Sequence, residues 1–118
     1  MKNNIIKGSI GEDRAVEYLV SKGYKILDRN YRTKLGEIDI IAMTSQVLVF
    51  IEVKSRTNTN YGYPYEAVDW RKQDKILKSS FIYMKHKKLK DYQFRYDIVE
   101  VYLKGKTKIN HIENAFCR

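Results

Sequence analysis

The chain has 118 residues, which is the length of one ordinary domain and excludes a multidomain enzyme. Its composition of 43% hydrophobic and 31% charged residues is typical of a globular protein, and a single cysteine, Cys117, excludes an internal disulfide framework or thiolate metal cluster. Twenty-three basic against fourteen acidic residues give a net charge of +9, which favours a polyanionic partner, most often nucleic acid.

The apolar runs of the sequence bear on its location. Residues 1–7 lack the continuous apolar core of a signal peptide. No stretch approaches the roughly 18 apolar residues that a membrane span needs. We therefore expect a single domain over residues 1–118 in the cytoplasm, without a membrane contact.

The first predicted element is a helix that runs to Lys22. Apolar residues recur at helical spacing between residues 13 and 22, with charged residues on the other face. Ser9 and Glu12 have the spacing of a capping box, and Gly23 stands where a helix-ending glycine belongs. The pattern predicts a helix that begins near Ser9.

Three strands are predicted next, at residues 24–32, 37–42 and 47–54. The second and third are β-branched runs separated by a short polar loop at residues 44–46, which is the pattern of a hairpin. The third run is apolar on both faces, so we expect it to be a central, covered strand.

The second half of the chain is predicted to contain a loop, a helix and two strands. Residues 55–65 have no periodicity and many turn formers, which predicts a loop. The helix is expected from residue 68 or 69 to 84, and the strands at 94–103 and 108–112. The inner face of the helix is predicted to carry Ile76, Leu77, Ser80, Phe81 and Met84.

The order helix, three strands, helix, two strands predicts an α/β protein with a mixed sheet flanked by helices.

Two acidic residues interrupt apolar strands. Glu52 lies within the run 47–53, where an ionised carboxylate is unfavourable unless it is paired or binds a cation. A structural explanation is an ion pair with Lys54 or Arg56 at the strand end. Asp39 is a second acid in an equally apolar strand, and two converging carboxylates repel each other unless a divalent cation neutralises them.

Side-chain alternation places these groups on common faces. Glu52 and Lys54 point the same way, as do Glu37 and Asp39, and a hairpin sets the two strands side by side, with the register left open. Hard oxygen ligands suit Mg²⁺ or Mn²⁺, which can activate water for phosphodiester hydrolysis. The ammonium group of Lys54 can stabilise charge on the phosphate or orient the attacking water.

These residues carry a resemblance. Asp39 with Glu52-Val53-Lys54 is similar to the D…(D/E)xK motif of the restriction-endonuclease-like nuclease superfamily. From about residue 6 to 116 the chain resembles the bacterial YraN-like family, which is placed among predicted endonucleases close to archaeal Holliday-junction resolvases. The segments that carry this resemblance are Gly11-Glu12, Asn30-Tyr31-Arg32, Gly36-Glu37-Ile38-Asp39-Ile40-Ile41-Ala42, Val49-Phe50-Ile51-Glu52-Val53-Lys54-Ser55-Arg56, Ala67-Val68 with Lys72, and Ile112-Glu113-Asn114-Ala115-Phe116.

The resemblance implies a restriction-endonuclease-like fold and a role for each motif residue. Asp39 and Glu52 would bind the metal, with the Val53 carbonyl as a further ligand, and Lys54 would be the catalytic lysine. Glu12 would match a helix-borne acid of resolvase-like members. The capping box explains Glu12 equally well, so both interpretations stay open.

Other polar residues have weaker signals. Glu37 is either an outer acid of the site or a partner of a nearby base. Arg56 and Lys72 are predicted to contact nucleic acid, although a solvated lysine on a helix is the commoner case. His86 and His111 are isolated in sequence, and we predict neither as a metal ligand.

The sequence thus predicts a Mg²⁺-dependent endonuclease that acts on branched or distorted DNA. One alternative is a DNA-binding module of the same fold without cleavage. Another is a basic interaction protein with an acidic protein partner. A cut in both strands requires two active sites, which suggests a homodimer.

Overall fold

The computed structural model describes residues 2–56, 69–89 and 91–116, with side chains described from residue 9 onward. Two helices and five strands lie in these ranges. In chain order they are α1 (Lys2–Ser21), β1 (Lys25–Thr33), β2 (Gly36–Thr44), β3 (Val47–Arg56), α2 (Trp70–His86), β4 (Gln93–Tyr102) and β5 (Lys108–Phe116).

The strands form one mixed sheet in the order β1-β2-β3-β4-β5. Neighbours are antiparallel except β3 and β4, which run parallel from Val47 opposite Gln93 to Arg56 opposite Tyr102. A parallel pair requires a long crossover, and α2 lies within it. The prediction of a mixed sheet with a central β3 is confirmed.

A helix packs on each face of the sheet, because the strands are apolar on both sides. On one face, Ala15 and Leu19 of α1 are fully buried in a cluster with Ile51 and other strand residues. On the opposite face, Ile76 and neighbouring residues of α2 pack against Phe50, which is next to Ile51 in the strand and points to the other side of the sheet. β3 therefore places odd-numbered residues toward α1 and even-numbered residues toward α2.

The predicted start of the first helix is wrong. α1 begins at Lys2, so Ser9 lies inside the helix and cannot form a capping box with Glu12. The reason is that a capping box is a local pattern, and no proline stops the helix from continuing through residues 2–8. The predicted end is confirmed, since Gly23 has a φ of 91° and Tyr24 N–H donates to the Leu19 carbonyl at 3.0 Å.

The inner face of α2 differs from the prediction at one aromatic residue. Phe81 is 52% exposed, whereas Tyr83 is only 3% exposed and packs in the core. A helical stripe centred on Ile76 and Ser80 includes Tyr83 and leaves Phe81 outside. The hydroxyl of Ser80 lies 2.6 Å from that of Tyr96, so a small polar residue joins the helix to the sheet.

The start of α2 and the end of β3 set the length of the segment that connects them. Asp69 caps α2, as its carboxylate accepts from Lys72 N–H at 3.0 Å. β3 extends to Arg56, so Ser55 and Arg56 belong to the strand and not to the predicted loop. The rest of the predicted loop lies outside the described residues. Among the described residues, neither helix is long and apolar enough to span a membrane.

Candidate metal and nucleic-acid site

The two acidic residues predicted from sequence lie where β2 and β3 separate. The last pair of their antiparallel register is Ile40 with Ile51, and Asp39 and Glu52 follow on the two strands. The Val53 N–H donates to Asp39 Oδ2 at 2.8 Å across this opening. The structure thus supplies the register that the sequence left open, and brings both carboxylates to one place.

These carboxylates line an open cavity of about 390 Å³ between the sheet and the first turns of α2. Acidic groups come from the strands, and basic groups come from the helix. The lining residues are Glu37, Asp39, Glu52, Asp69, Arg71, Lys72, Lys75 and Ile76.

Glu52 is paired mainly with a lysine of α2. Its side chain is 4% exposed, and Lys72 Nζ lies 2.7 Å from its Oε1, whereas Lys54 Nζ lies 3.8 Å from the same oxygen. The alternative ion pair with Arg56 does not form, because Arg56 Nε donates to Glu100 at 3.1 Å. Lys72, predicted to contact nucleic acid, therefore lies inside the site against a carboxylate.

The electrostatics of the site favour a bound proton or cation. Burial, followed by the charge of Glu52, raises the pKa of Asp39 to about 7, although the Val53 N–H opposes this. Burial and the charge of Lys72 lower the pKa of Lys54. Burial also acts to lower the pKa of Lys72, but contact with Glu52 outweighs it and the net direction is upward.

Glu12 approaches the site from the opposite face of the sheet. A Cβ atom added to Gly11 would collide with the side chain of Ser55, so α1 crosses β3 at very close range here. The neighbouring Glu12 is largely buried, and its Oε1 has no hydrogen-bond partner among the described residues. Arg29 Nη2 is 3.7 Å from that oxygen, and burial raises the pKa of Glu12 despite the opposing effects of Arg29 and Asn30.

The two carboxylates suit Mg²⁺ or Mn²⁺, which keep several water ligands, better than a metal whose ligands all come from the protein. Within the described part of the chain, no three His, Cys, Asp or Glu residues are grouped so that they could hold a metal ion. Asp39 and Glu52 supply two carboxylates, and burial together with the charge of Glu52 raises the pKa of Asp39. Mg²⁺ is bound in this way, through one or two carboxylates with waters and substrate phosphates completing its octahedron.

The remaining predicted residues have protein partners. Arg56 is 18% exposed and pairs with Glu100, which is fully buried and also accepts from Tyr102 and Asn110. Glu37 is at the cavity wall and lies 3.7 Å from Arg32 Nε. The Arg56–Glu100 pair could not be predicted from local sequence patterns, because the two residues are 44 positions apart.

A second buried polar cluster lies on the α1 face, away from the cavity. Asp97 is fully buried and accepts from His111 Nε2 at 2.7 Å, from Arg95, and from the Asn114 N–H. Burial acts to raise the pKa of Asp97, but these hydrogen bonds outweigh it and lower the pKa below its usual range. His111 Nδ1 lies 3.0 Å from the Tyr18 hydroxyl, so both ring nitrogens have partners within the protein.

Comparison with known proteins gives the chain its family. The model of the uncharacterised protein family UPF0102 matches residues 11–101. This chain belongs to the UPF0102 family. UPF0102 proteins of Caldanaerobacter subterraneus and Clostridioides difficile are each 51% identical to it, over 92% and 97% of this chain and 93% and 99% of their own lengths. The UPF0102 protein of Persephonella marina is 47% identical, over 94% of this chain and 93% of its own length.

The match to UPF0102 includes every element that borders the cavity. Residues 11–101 contain both carboxylate-bearing strands, the first turns of α2, and Glu12 of α1. The predicted YraN-like membership is thereby confirmed at the level of the family.

Proposed function

We propose that this UPF0102 protein is a Mg²⁺- or Mn²⁺-dependent endodeoxyribonuclease with a restriction-endonuclease-like fold, acting on branched or distorted DNA. The observation that carries the proposal is the meeting of Asp39 and Glu52 where β2 and β3 separate, with Lys54 two residues beyond on the same face. Glu52 is buried and Asp39 is half-buried, and two carboxylates at one place are unfavourable unless cations offset their charge, which a bound divalent metal would do for both.

Asp39 and Glu52 would hold the metal, which when bound polarises a phosphoryl oxygen and lowers the pKa of a coordinated water. Lys54 has a position suited to the phosphate, since its side chain is 22% exposed and its Nζ lies 3.8 Å from Glu52 Oε1. Its lowered pKa reflects burial beside a second cation, Lys72, and an incoming phosphate would relieve that repulsion.

The charge distribution supports a nucleic-acid substrate. The chain carries a net charge of +9, and the helix side of the cavity is lined by Arg71, Lys72 and Lys75. Cations beside a carboxylate pair can neutralise the phosphates that flank a scissile bond while the acids remain available to the metal.

A DNA-binding module without cleavage is the second candidate, and one contact favours it. Lys72 Nζ already lies 2.7 Å from Glu52 Oε1, so the carboxylate has a cationic partner without a metal. In that case the Glu52–Lys72 pair would be structural, and the basic groups of α2 would bind the DNA backbone.

Cleavage of a panel of branched and linear DNAs in Mg²⁺, Mn²⁺ and EDTA tests the proposal. We expect cleavage that requires the metal and that is abolished in Asp39→Asn. Glu17→Gln is the matched control, because it removes an exposed negative charge from the outer face of α1. Metal-independent cleavage, or equal cleavage by Asp39→Asn and the wild type, would contradict it.

A further inference from the structure

The most exposed large hydrophobic side chain of the described residues lies beside the cavity. Trp70 is the single tryptophan of the chain, is the first residue of α2, and is 64% exposed. The guanidinium carbon of Arg71 lies 5.5 Å from the centre of its ring, in the geometry of a cation–π contact. An indole presented to solvent beside a guanidinium is a combination that stacks on nucleobases.

The position of Trp70 relative to the carboxylates is fixed by the helix. Asp69, Arg71 and Lys72 all line the cavity, so the residues on both sides of the indole belong to its wall. The hydrogen bonds from Lys72 N–H and Gln73 N–H to Asp69, at 3.0 and 2.9 Å, hold this first turn in place. Lys72 in turn reaches Glu52. Trp70 is not itself a lining residue, but the guanidinium of Arg71, which does line the cavity, lies over its ring, so the indole adjoins the cavity wall at Arg71.

The chemistry of a duplex restricts what can stack here. Paired bases already stack on one another and present only their edges in the grooves, whereas an unpaired base can offer an open face to an aromatic ring. Arg71 beside the indole can meet the phosphate of the same nucleotide. The combination thus suits a strand that is single-stranded next to the phosphate in the cavity.

We propose that Trp70 and Arg71 form a stacking site for an unpaired nucleobase of the DNA strand that enters the cavity. This rests on the proposed function and narrows its substrate class to DNA with a single-stranded segment at the site, such as a fork, flap or frayed end. Continuous duplex binds through the basic surface alone and makes no use of the indole.

Tryptophan fluorescence, excited at the red edge where the ten tyrosines do not absorb, tests this directly, because Trp70 is the single tryptophan. In EDTA, titration with single-stranded oligodeoxythymidylate should quench the tryptophan emission, whereas a blunt duplex of equal length should bind with little quenching. In a parallel anisotropy assay with labelled DNA, Trp70→Ala should weaken single-strand affinity by about 5- to 150-fold and duplex affinity by less than about twofold. Trp70→Phe should restore most of the single-strand affinity.

Phe81→Ala is the matched control, because it removes another exposed aromatic side chain of α2 that lies outside the cavity lining. It should leave both affinities unchanged. Equal loss of single-strand and duplex affinity in Trp70→Ala, no loss in either, or an equal effect of Phe81→Ala would overturn the stacking site while leaving DNA binding intact. If the wild type binds neither DNA, the proposed function fails as well.

Discussion

At the scale of single residues, Asp39 gives the metal-free protein a distinctive pH dependence. Its folded pKa is raised to about 7, well above the value of about 3.9 expected in the unfolded chain. The folded state therefore holds the proton more tightly, and the stability that this group contributes is complete below about pH 4 and is lost as the pH rises through 7.

The corresponding prediction concerns Asp39→Asn, which cannot ionise. Its free energy of unfolding relative to the wild type should rise steadily between about pH 4 and 7, and at pH 7 in EDTA it should match or exceed the wild type. Urea unfolding at several pH values measures this difference. Adding Mg²⁺ at pH 7 should stabilise the wild type and not the variant. A large loss of apo stability in the variant would instead make Asp39 a structural ion-pair member.

A second prediction at this scale concerns Lys72→Met. Without this lysine, the single cation left beside buried Glu52 in the described part of the chain is Lys54 at 3.8 Å, so the free energy of unfolding at pH 7 should fall by about 1–3 kcal/mol. That is less than for a fully buried pair, since Lys72 is 44% exposed. Lys78→Met is the control on the same helix, because its ion pair with Asp74 is more exposed and contributes about 0–1 kcal/mol. Equal effects of the two variants in urea melts would refute the prediction.

At the scale of elements, the spacing between α2 and the sheet depends on Gly36. A Cβ atom at this position would lie 2.8 Å from Lys75 Cβ and 3.2 Å from the Lys75 carbonyl oxygen, so backbone must move to accept it. Gly36→Ala should therefore destabilise the protein by about 1–3 kcal/mol and widen the cavity by displacing α2. Thermal or urea unfolding tests this, with Leu35→Ala as the control because Leu35 is an exposed neighbour in the same turn. Wild-type stability in Gly36→Ala would show that α2 adapts freely.

The elements also show how far sequence reasoning extends. Alternation and turn residues predict all five strands and the β2–β3 hairpin, because these are local properties of the chain. The parallel pairing of β3 with β4 depends on a crossover, and the contact of Lys72 with Glu52 depends on where that crossover lands. Local periodicity does not contain this information. It missed the Asp97–His111 pair for the same reason.

The candidate site was predictable in part, because strand alternation limits which side chains can meet. Asp39, Glu52 and Lys54 follow from charge in apolar strands and from alternation. The burial of Glu12 required knowing that Gly11 of α1 packs directly against Ser55 on the α1-facing side of β3. The local pattern at Ser9 predicts that Glu12 belongs to a capping box. This is wrong because α1 begins at Lys2, so Ser9 is not at the start of the helix.

At the scale of the whole molecule, the net charge of +9 predicts how DNA binding responds to salt. Binding to phosphates releases condensed counterions. A plot of the logarithm of the association constant against the logarithm of salt concentration should therefore have a negative slope of several units. Affinity should depend little on base sequence, since phosphate contacts carry no sequence information. Anisotropy titrations over a salt series measure the slope. Salt-independent binding, or no binding to any nucleic acid at low salt, would contradict a nucleic-acid partner.

The central claim is that Glu52 and Lys54 act in metal-dependent cleavage, and single-turnover cleavage of a branched DNA at saturating enzyme tests it most directly. Glu52→Gln should abolish cleavage in Mg²⁺ while DNA binding in Ca²⁺ is kept or strengthened, because a negative charge facing phosphate is removed. Lys54→Ala should still cleave, with a rate reduced by about 10²–10³-fold, as expected for the loss of one preorganised donor. Equal cleavage rates in the wild type and both variants would contradict the account.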